Sequence, residues 1–543
     1  MKRIALLFVG LLSLPIFSYS GGIVHNTNQS ASWVRNFARD ASTDIDAVFY
    51  NPAGLTKLGD GFFISLNSQT LFQNRQITSD YMHLNNTPAD YEGAVTVPVL
   101  PSIYAVYNTG KLSFSFGMNV VGGGGSAQFD KGLPSFELGV SDLVPGLTAR
   151  GLPTTAYSLD AYFEGSSAFW GYQLGASYEI NDMISVYLGA RYVTAKNTYA
   201  GHLTDVMINT AHPLYNPTLD MISAPQFFTD LAADATAAAG SLTAISGLGF
   251  GGATPEQIFL GGNMSAAEYG ALAAGYASLG LDATVNTVDE GITPFTASAG
   301  ESTVKALLLS DQEDVEVEQT GSGITPIIGV NISPNDKLNI GIKYEFMTKI
   351  ELENNTTKDF IVGFNPTLGT TVGMFPDGEI KRNDMPALLT VGADYKVSEK
   401  FLVSTGIHYY FDKNANYGYA VENSDVFDSN YLEWALGLEY NISEKMLVSA
   451  GYLFAKSGLK AEYQTDLNYK ISSHSIGLGG AYSITPKFDL NIAVAYSIYP
   501  EDSKDYQHDL GGSGMLVDLT ESYNRNNLFF GIGLDFKFGK TSE

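Results

Sequence analysis

The chain has 543 residues with 57 acidic side chains against 30 basic, a formal charge of −27, no cysteine, 12% aromatic residues and only 16% charged ones. So acidic a balance excludes a nucleic-acid partner, whose phosphates must be met by Lys and Arg, and the missing cysteines exclude disulfides and lipid attachment through a thiol. The 32 Tyr, 31 Phe and 57 Gly suit extended structure with one apolar face and frequent tight turns, not helical domains.

Residues 1–20 read as a secretory signal. Lys2-Arg3 precede an apolar run from Ile4 to Phe17, and Ser18-Tyr19-Ser20 supplies a small-x-small cleavage site. Cleavage after Ser20 removes both cations, leaving 28 basic against 57 acidic residues and a charge of −29. No later run reaches the ~18 apolar residues of a membrane helix. A secreted chain of this kind can still cross a membrane as a closed β-barrel.

Residues 21–60 are not strand-like. They carry Trp33, Arg35, Phe37, Arg39, Asp40, Asp44 and Asp46 and end in Asn51-Pro52-Ala53-Gly54. Pro52 fixes its own φ and biases Asn51 away from helix, and Gly54 allows a turn, so a tight corner is expected there. The segment is too short and polar to hold a core, so it is buried by the rest of the chain or disordered.

From Gly61 the period becomes two. Leu112, Phe114, Phe116, Met118 and Val120 alternate with polar or small residues, as do Leu338, Ile340, Ile342, Tyr344 and Phe346, and Leu528, Phe530, Ile532, Leu534 and Phe536. Fourteen runs of about ten residues, the span of a tilted membrane strand, fall near 61–74, 95–108, 111–121, 157–179, 182–198, 314–332, 336–353, 385–397, 400–412, 430–442, 445–456, 470–484, 487–500 and 525–538. Short turns such as Asn108-Thr109-Gly110 and Ser333-Pro334-Asn335-Asp336 alternate with long polar connections throughout. A soluble sandwich has no reason to segregate loop lengths in this way, whereas an outer-membrane barrel has short periplasmic turns and long external loops.

Two connections stand out. The third run leads into Gly122, Gly123, Gly124 and Gly125, where absent side chains and relaxed φ limits favour a bulge or break in the ladder. No Lys-Ser/Thr follows, so a phosphate loop is excluded. The connection near 199–313 carries helix starts at Thr254-Pro255-Glu256-Gln257 and Ser265-Ala266-Ala267-Glu268. Tyr269, Leu272, Tyr276 and Leu279 then share one helical face. Such an insertion suits a lid or ligand vestibule.

A plug-sized segment ending in Asn51-Pro52-Ala53-Gly54, fourteen strands and a helical insertion between the fifth and sixth together resemble the FadL family, outer-membrane transporters of long-chain fatty acids and other hydrophobic compounds, aromatic hydrocarbons included. Asp384-Met385-Pro386-Ala387 also resembles that family's Leu-Pro at the eighth strand, with Met385 replacing Leu. The resemblance implies an all-β fold: a 14-stranded antiparallel transmembrane β-barrel over 61–543 with an N-terminal plug, or hatch, at 21–60 and a partly helical external loop at 199–313. It implies a bacterial outer-membrane location, with Asn51, Pro52, Ala53 and Gly54 as the hatch motif. It further implies a lateral opening at Gly122–Gly125, where the family's third strand is kinked.

A fatty-acid head group needs a local cation in so acidic a protein. Alternation puts Arg191 and Lys343 on the lumen side of their strands, and Arg35 and Arg39 lie four apart in the plug, where Asp40, Asp44 and Asp46 compete for them. No cofactor, metal or enzymatic activity is expected, because the seven His show no ligand spacing and no nucleophile partner. The expected partners are a hydrophobic ligand such as a fatty acid, outer-membrane lipid, lipopolysaccharide and the barrel-assembly machinery. A diffusion porin for polar solutes and a surface adhesin remain the alternatives.

Overall fold

Strict alternation over fourteen segments closes a single antiparallel ring. In the computed structural model, which describes residues 23–25, 30–85, 89–365, 368–419, 421–510 and 514–538, the strands are β1 Gly61–Ser79, β2 Ala89–Thr109, β3 Leu112–Phe129, β4 Tyr157–Asn181, β5 Ile184–Ile208, β6 Gln312–Asn335, β7 Leu338–Glu345, β8 Leu388–Ser398, β9 Phe401–Tyr410, β10 Leu432–Ser443, β11 Met446–Lys456, β12 Ser473–Thr485, β13 Phe488–Asp509 and β14 Leu516–Lys537. Each pairs with the next, and β14 returns to β1 from Phe63↔Lys537 to Ser79↔Glu521. Closure leaves no strand without a neighbour on each side, the condition for a sheet in hydrocarbon. The expected signal segment and its cleavage site lie outside the described residues.

Burial is inverted relative to a soluble protein. Leu66, Phe114, Leu174, Leu188, Ile328, Leu438, Ile476 and Ile532 are exposed on the outer face, while Ser65, Asn67, Gln173, Arg191, Asn331, Lys343 and Glu345 are buried inside. Tyr107, Tyr178, Tyr395, Tyr440 and Tyr482 stand exposed just before the short turns, where an aromatic girdle meets the membrane–water interface.

The strands depart from the sequence expectation in length. β4 and β5 each run 25 residues and β6 runs 24, so stretches expected as loop, such as 122–129 and 199–208, continue the ladder. Beyond the bilayer both faces are polar, as in Glu501–Asp509, and backbone pairing persists after the apolar alternation has ended. In the other direction, the run expected over 336–353 is interrupted after Glu345 and resumes at Glu351–Lys358, which pairs again with β6 from Thr320↔Glu353 to Glu316↔Lys358. At the interruption Ile350 and Leu352 are buried beside Met385.

The core of the barrel is the N-terminal segment. It forms α1 Ala31–Arg35, α2 Ala47–Tyr50 and a 3₁₀ turn, Pro52–Leu58. Ser30 Oγ caps α1 by accepting from Trp33 N at 2.9 Å. Trp33, Val34, Phe37, Val48, Phe49 and Leu55 pack with the wall residues Tyr104, Val106, Phe169, Val193, Ile350 and Met385.

What lets this segment approach the wall is a row of glycines. Gly341, Gly392 and Gly406 pair across β7–β9, and Gly437, Gly451 and Gly477 across β10–β12. Asp40 lies against the first three, and Val34, Asn36 and Phe37 against the others. A Cβ on Gly451 would stand 2.7 Å from Phe37 N and 2.9 Å from Asn36 Cα. Gly451→Val suits a strand but overfills this contact, at ~1–3 kcal/mol. Circular dichroism is expected to keep its β signature while limited proteolysis cuts residues 30–58 faster than in wild type.

Outside the membrane, α3 Pro134–Ser141 and α4 Leu143–Ala149 lie over the mouth. The long insertion forms α5 Ala224–Ile245, α6 Pro255–Leu260, α7 Ala266–Ser278 and α8 Val288–Leu308. Both expected capping boxes are present, and a third joins Thr287 to Glu290. These helices share a small core of Leu242, Ile258, Tyr276, Val288 and Phe295, and Phe227, Phe228 and Leu309 fasten their base to Val140 and Leu143.

Candidate functional site: an external cavity, a seated plug and an interrupted wall

The external loops enclose a cavity of about 290 Å³. Phe136, Leu138 and Val140 of α3, Leu143 of α4, Leu308 of α8, and Phe360, Val362 and Met374 give it apolar walls, the composition that takes up a hydrocarbon. Its polar groups are Lys305, Lys504, His508, Glu462, Asp466 and Glu521. Most are spoken for. Lys504 Nζ donates to Gln464 O at 3.1 Å, His508 Nε2 lies 2.8 Å from Asp142 Oδ2, and the Tyr506 and Tyr523 hydroxyls donate to Glu521 at 2.7 Å. Lys305 differs, with its ammonium 5.1 Å from the centre of the Phe228 ring. Burial pushes its pKa down to about 7, and burial pushes the nearby Glu301 up to about 7. A larger hollow of about 860 Å³ lies along the wall by Trp170, Tyr192 and Lys196. Tyr192 is exposed on the outer face, where a hydrocarbon is already solvated by lipid, so we assign no ligand site there.

Inside the barrel, wall side chains hold the Asn51–Gly54 corner by its backbone. Ser177 Oγ donates to Pro52 O and Ser185 Oγ to Ala53 O, each at 2.6 Å. Asn51 Nδ2 donates to Asn331 Oδ1 at 2.7 Å and Ser42 O at 3.0 Å, and a Cβ on Gly54 would meet both Asn51 and Ser42.

The four cations singled out from sequence are all buried and all matched by carboxylates. Arg191 Nη1 and Lys343 Nζ each lie 2.7 Å from Glu345, and Lys343 also donates to Phe49 O at 2.6 Å. Both cations face the Phe49 ring, at 4.8 and 5.0 Å. Arg39 binds Asp46 at 2.7 Å and Asp44 at 2.6 Å. Arg35 pairs with Glu439 on the wall and donates to Ser449 Oγ at 2.8 Å. A ligand carboxylate reaching any of the four has to displace a carboxylate already there.

The wall is interrupted between β2 and β3. Their register runs from Thr109↔Leu112 to Ser102↔Asn119, lapses, and resumes at Val95↔Ala127. β3 stays paired with β4 throughout as far as Phe129↔Phe163, with shifts at Val120/Gly122 and Gly123/Gly125. The glycine run therefore leans toward β4, to which Gly122, Gly123 and Gly125 are paired. Gly123 takes φ +68°, with Ser167 O where a side chain would be. On the other side Pro98 and Pro101 lack the N–H that a ladder needs, and β2 bulges against β1 between Leu100 and Val97. From within, Val24 covers Gly122.

Residues 274–538 match the family model described as outer membrane protein transport protein (OMPP1/FadL/TodX). Over these residues the chain is similar to this family. A crystal structure of a Pseudomonas aeruginosa FadL homologue is similar at 12% identity over 96% of this chain and 100% of that one, with a TM-score of 0.57, which supports the shared fold. The Pseudomonas putida toluene transporter TodX aligns at 14% identity over 92% and 95%, TM-score 0.45. The Ralstonia pickettii toluene transporter TbuX aligns at 14% over 96% and 100%, TM-score 0.45. No curated protein sequence matches the chain. This similarity places the protein in the bacterial outer membrane, and the FadL/TodX family is one that transports hydrophobic compounds, not a family of enzymes.

Sequence reasoning assigned no role to several residues of this site. His408 bridges the plug and the wall, with Nε2 at 2.7 Å from Asp40 and Nδ1 at 2.7 Å from Glu433. Its place on the lumen face of β9 was the available signal. His25 lies 2.7 Å from Asp412 between the rings of Tyr410 and Tyr431. Pro98 and Pro101 were legible as breakers within a strand. Lys305 gave no signal, because only the packing of α8 against α5, which brings up Phe228, and the cavity it shares with α3 and α4 make its surroundings apolar.

Proposed function

We propose that the protein admits long-chain fatty acids and related hydrophobic molecules passively. In this reading they are captured in the external cavity, pass when the plug at 21–60 shifts about its Asn51–Gly54 corner, and leave sideways between β2 and β3. The observation that carries the reading is the lapse in β2–β3 pairing beside Gly122–Gly125, because it supplies a way out that avoids the periplasmic end. Capture needs only apolar surface, at ~0.8 kcal/mol per buried methylene. An acyl chain with a charged head suits a protein that places the Lys305 ammonium at its cavity. Outer-membrane lipid and lipopolysaccharide would contact the exposed Leu, Phe and Tyr face, and the barrel-assembly machinery would insert it.

A strain lacking the protein is expected to grow poorly on long-chain fatty acids as sole carbon source and to recover on complementation. Recovery on aromatic hydrocarbons alone would reassign the ligand. With Trp33, Phe37 and Phe49 packed against Tyr104, Phe169 and Val193 of the wall, the plug is expected to keep purified protein in planar bilayers closed. A large, steady ionic current would replace this reading with that of a diffusion porin.

A further inference from the structure

Lys305 projects from the last turn of α8 and is only 8% exposed, yet its ammonium makes no hydrogen bond or ion pair among the described residues. Its neighbours are the Phe228 face at 5.1 Å and the apolar cavity it lines. Long lysine stems normally carry the ammonium out to water, and a buried cation without a partner is costly. No carboxylate of the described residues is in contact with this ammonium, and the cavity is the space from which an anion can reach it.

We propose that Lys305 is the head-group selector of this cavity, favouring an apolar ligand that ends in a carboxylate over an uncharged one of the same chain length. The inference rests on the cavity being the capture site and goes further by assigning the head group. The charged groups acting on Lys305 are Glu301, which favours its protonation, and Arg150, which opposes it. Lys504, His508, Glu462, Asp466 and Glu521 line the same cavity. Burial holds the pKa of Lys305 at about 7 when the cavity is empty, so above that pH the amine is neutral. A carboxylate then binds with uptake of one proton from water onto Nζ, and an ester or alcohol binds with none. Preference for the acid is accordingly full below pH 7 and declines about tenfold per pH unit above it.

The test is equilibrium binding of an 18-carbon monounsaturated fatty acid and of its methyl ester to the purified full-length protein. The wild type, Lys305→Met and Lys305→Arg are compared between pH 6 and 9. Lys305→Met is expected to lose roughly 10- to 100-fold in affinity for the acid, the range for a hydrogen bond to a charged group, and to bind the ester within about twofold of wild type. Lys305→Arg, charged at every pH used, is expected to keep the preference and lose its pH dependence. An unchanged acid-to-ester ratio in Lys305→Met, or a wild-type ratio flat from pH 6 to 9, overturns the assignment and leaves the cavity as an apolar capture site. Failure of the wild type to bind either ligand overturns both.

Discussion

Glu345→Ala unseats the plug, and bilayers containing the variant are expected to show frequent channel openings where wild type is closed. Glu345 stands between Arg191 and Lys343 at 2.7 Å from each, and it is 2% exposed. Removing it leaves two cations buried together beneath Phe49, with Gln173 and one backbone carbonyl as their remaining acceptors. Breaking a buried ion cluster by removing one member costs ~3–5 kcal/mol, a large fraction of the stability of a single domain. The local way to relieve that cost is for Phe49 and the neighbouring Asn51 corner to move and admit water.

A second variant separates this from general damage. Replacing all three charges, as in Arg191→Met, Glu345→Leu and Lys343→Met combined, leaves no orphaned charge, and such swaps are often neutral or stabilising. The triple variant is expected to be closed again. Because the chain has no cysteine, a single Val48→Cys label reports the same movement: reactive in Glu345→Ala, protected in wild type and in the triple variant. A closed, unreactive Glu345→Ala would show that this ion cluster is not what seats the plug.

Gly125→Val is expected to cut fatty-acid uptake by roughly 10- to 100-fold while leaving binding in the external cavity unchanged. A Cβ at Gly125 would sit 2.5 Å from Val95 Cγ1 and 2.8 Å from Val97 Cγ2, in the part of the wall where β2 and β3 part. These obstructing atoms are ends of flexible side chains and not backbone, so the barrel can absorb the change while the opening fills. Overpacking at ~1–3 kcal/mol along the exit path gives that range in rate. Gly123 is the wrong place for this test, because its φ of +68° makes any side chain strained whatever the exit does. Gly122 is ambiguous as well, since its Cβ meets Val24 and would report on the N-terminal segment. Undiminished uptake by Gly125→Val, with wild-type melting and proteolysis, would reject the lateral exit.

Much of the barrel was legible because its physics is local. A pleated strand between lipid and lumen must alternate, so Leu112, Phe114 and Phe116 had to face outward and Ser113 and Ser115 inward. Short turns announce themselves through Asn, Gly and Pro, and helix starts through reciprocal caps such as Thr254 and Gln257. The same parity argument put Arg191 and Lys343 inside. It failed where the alternation ends before the pairing does, as in β13 above residue 500, because a hydrogen-bonded ladder in water needs no apolar face.

The sequence alone therefore determined the ring of strands, which face each side chain takes, and the alternation of short and long connections. The tertiary structure decided what those side chains meet. Arg35 finds Glu439, 404 positions away, and Arg191 finds Glu345, 154 positions away. The glycines that read as mere alternates of the apolar residues become the shelf on which residues 34–40 rest. Lys305 becomes a buried amine without a carboxylate in contact only when α8 packs on α5 beside the cavity. Periodicity records the environment on each side of a strand, but a partner across the lumen leaves no periodic trace, since it depends on how fourteen strands close around one short segment.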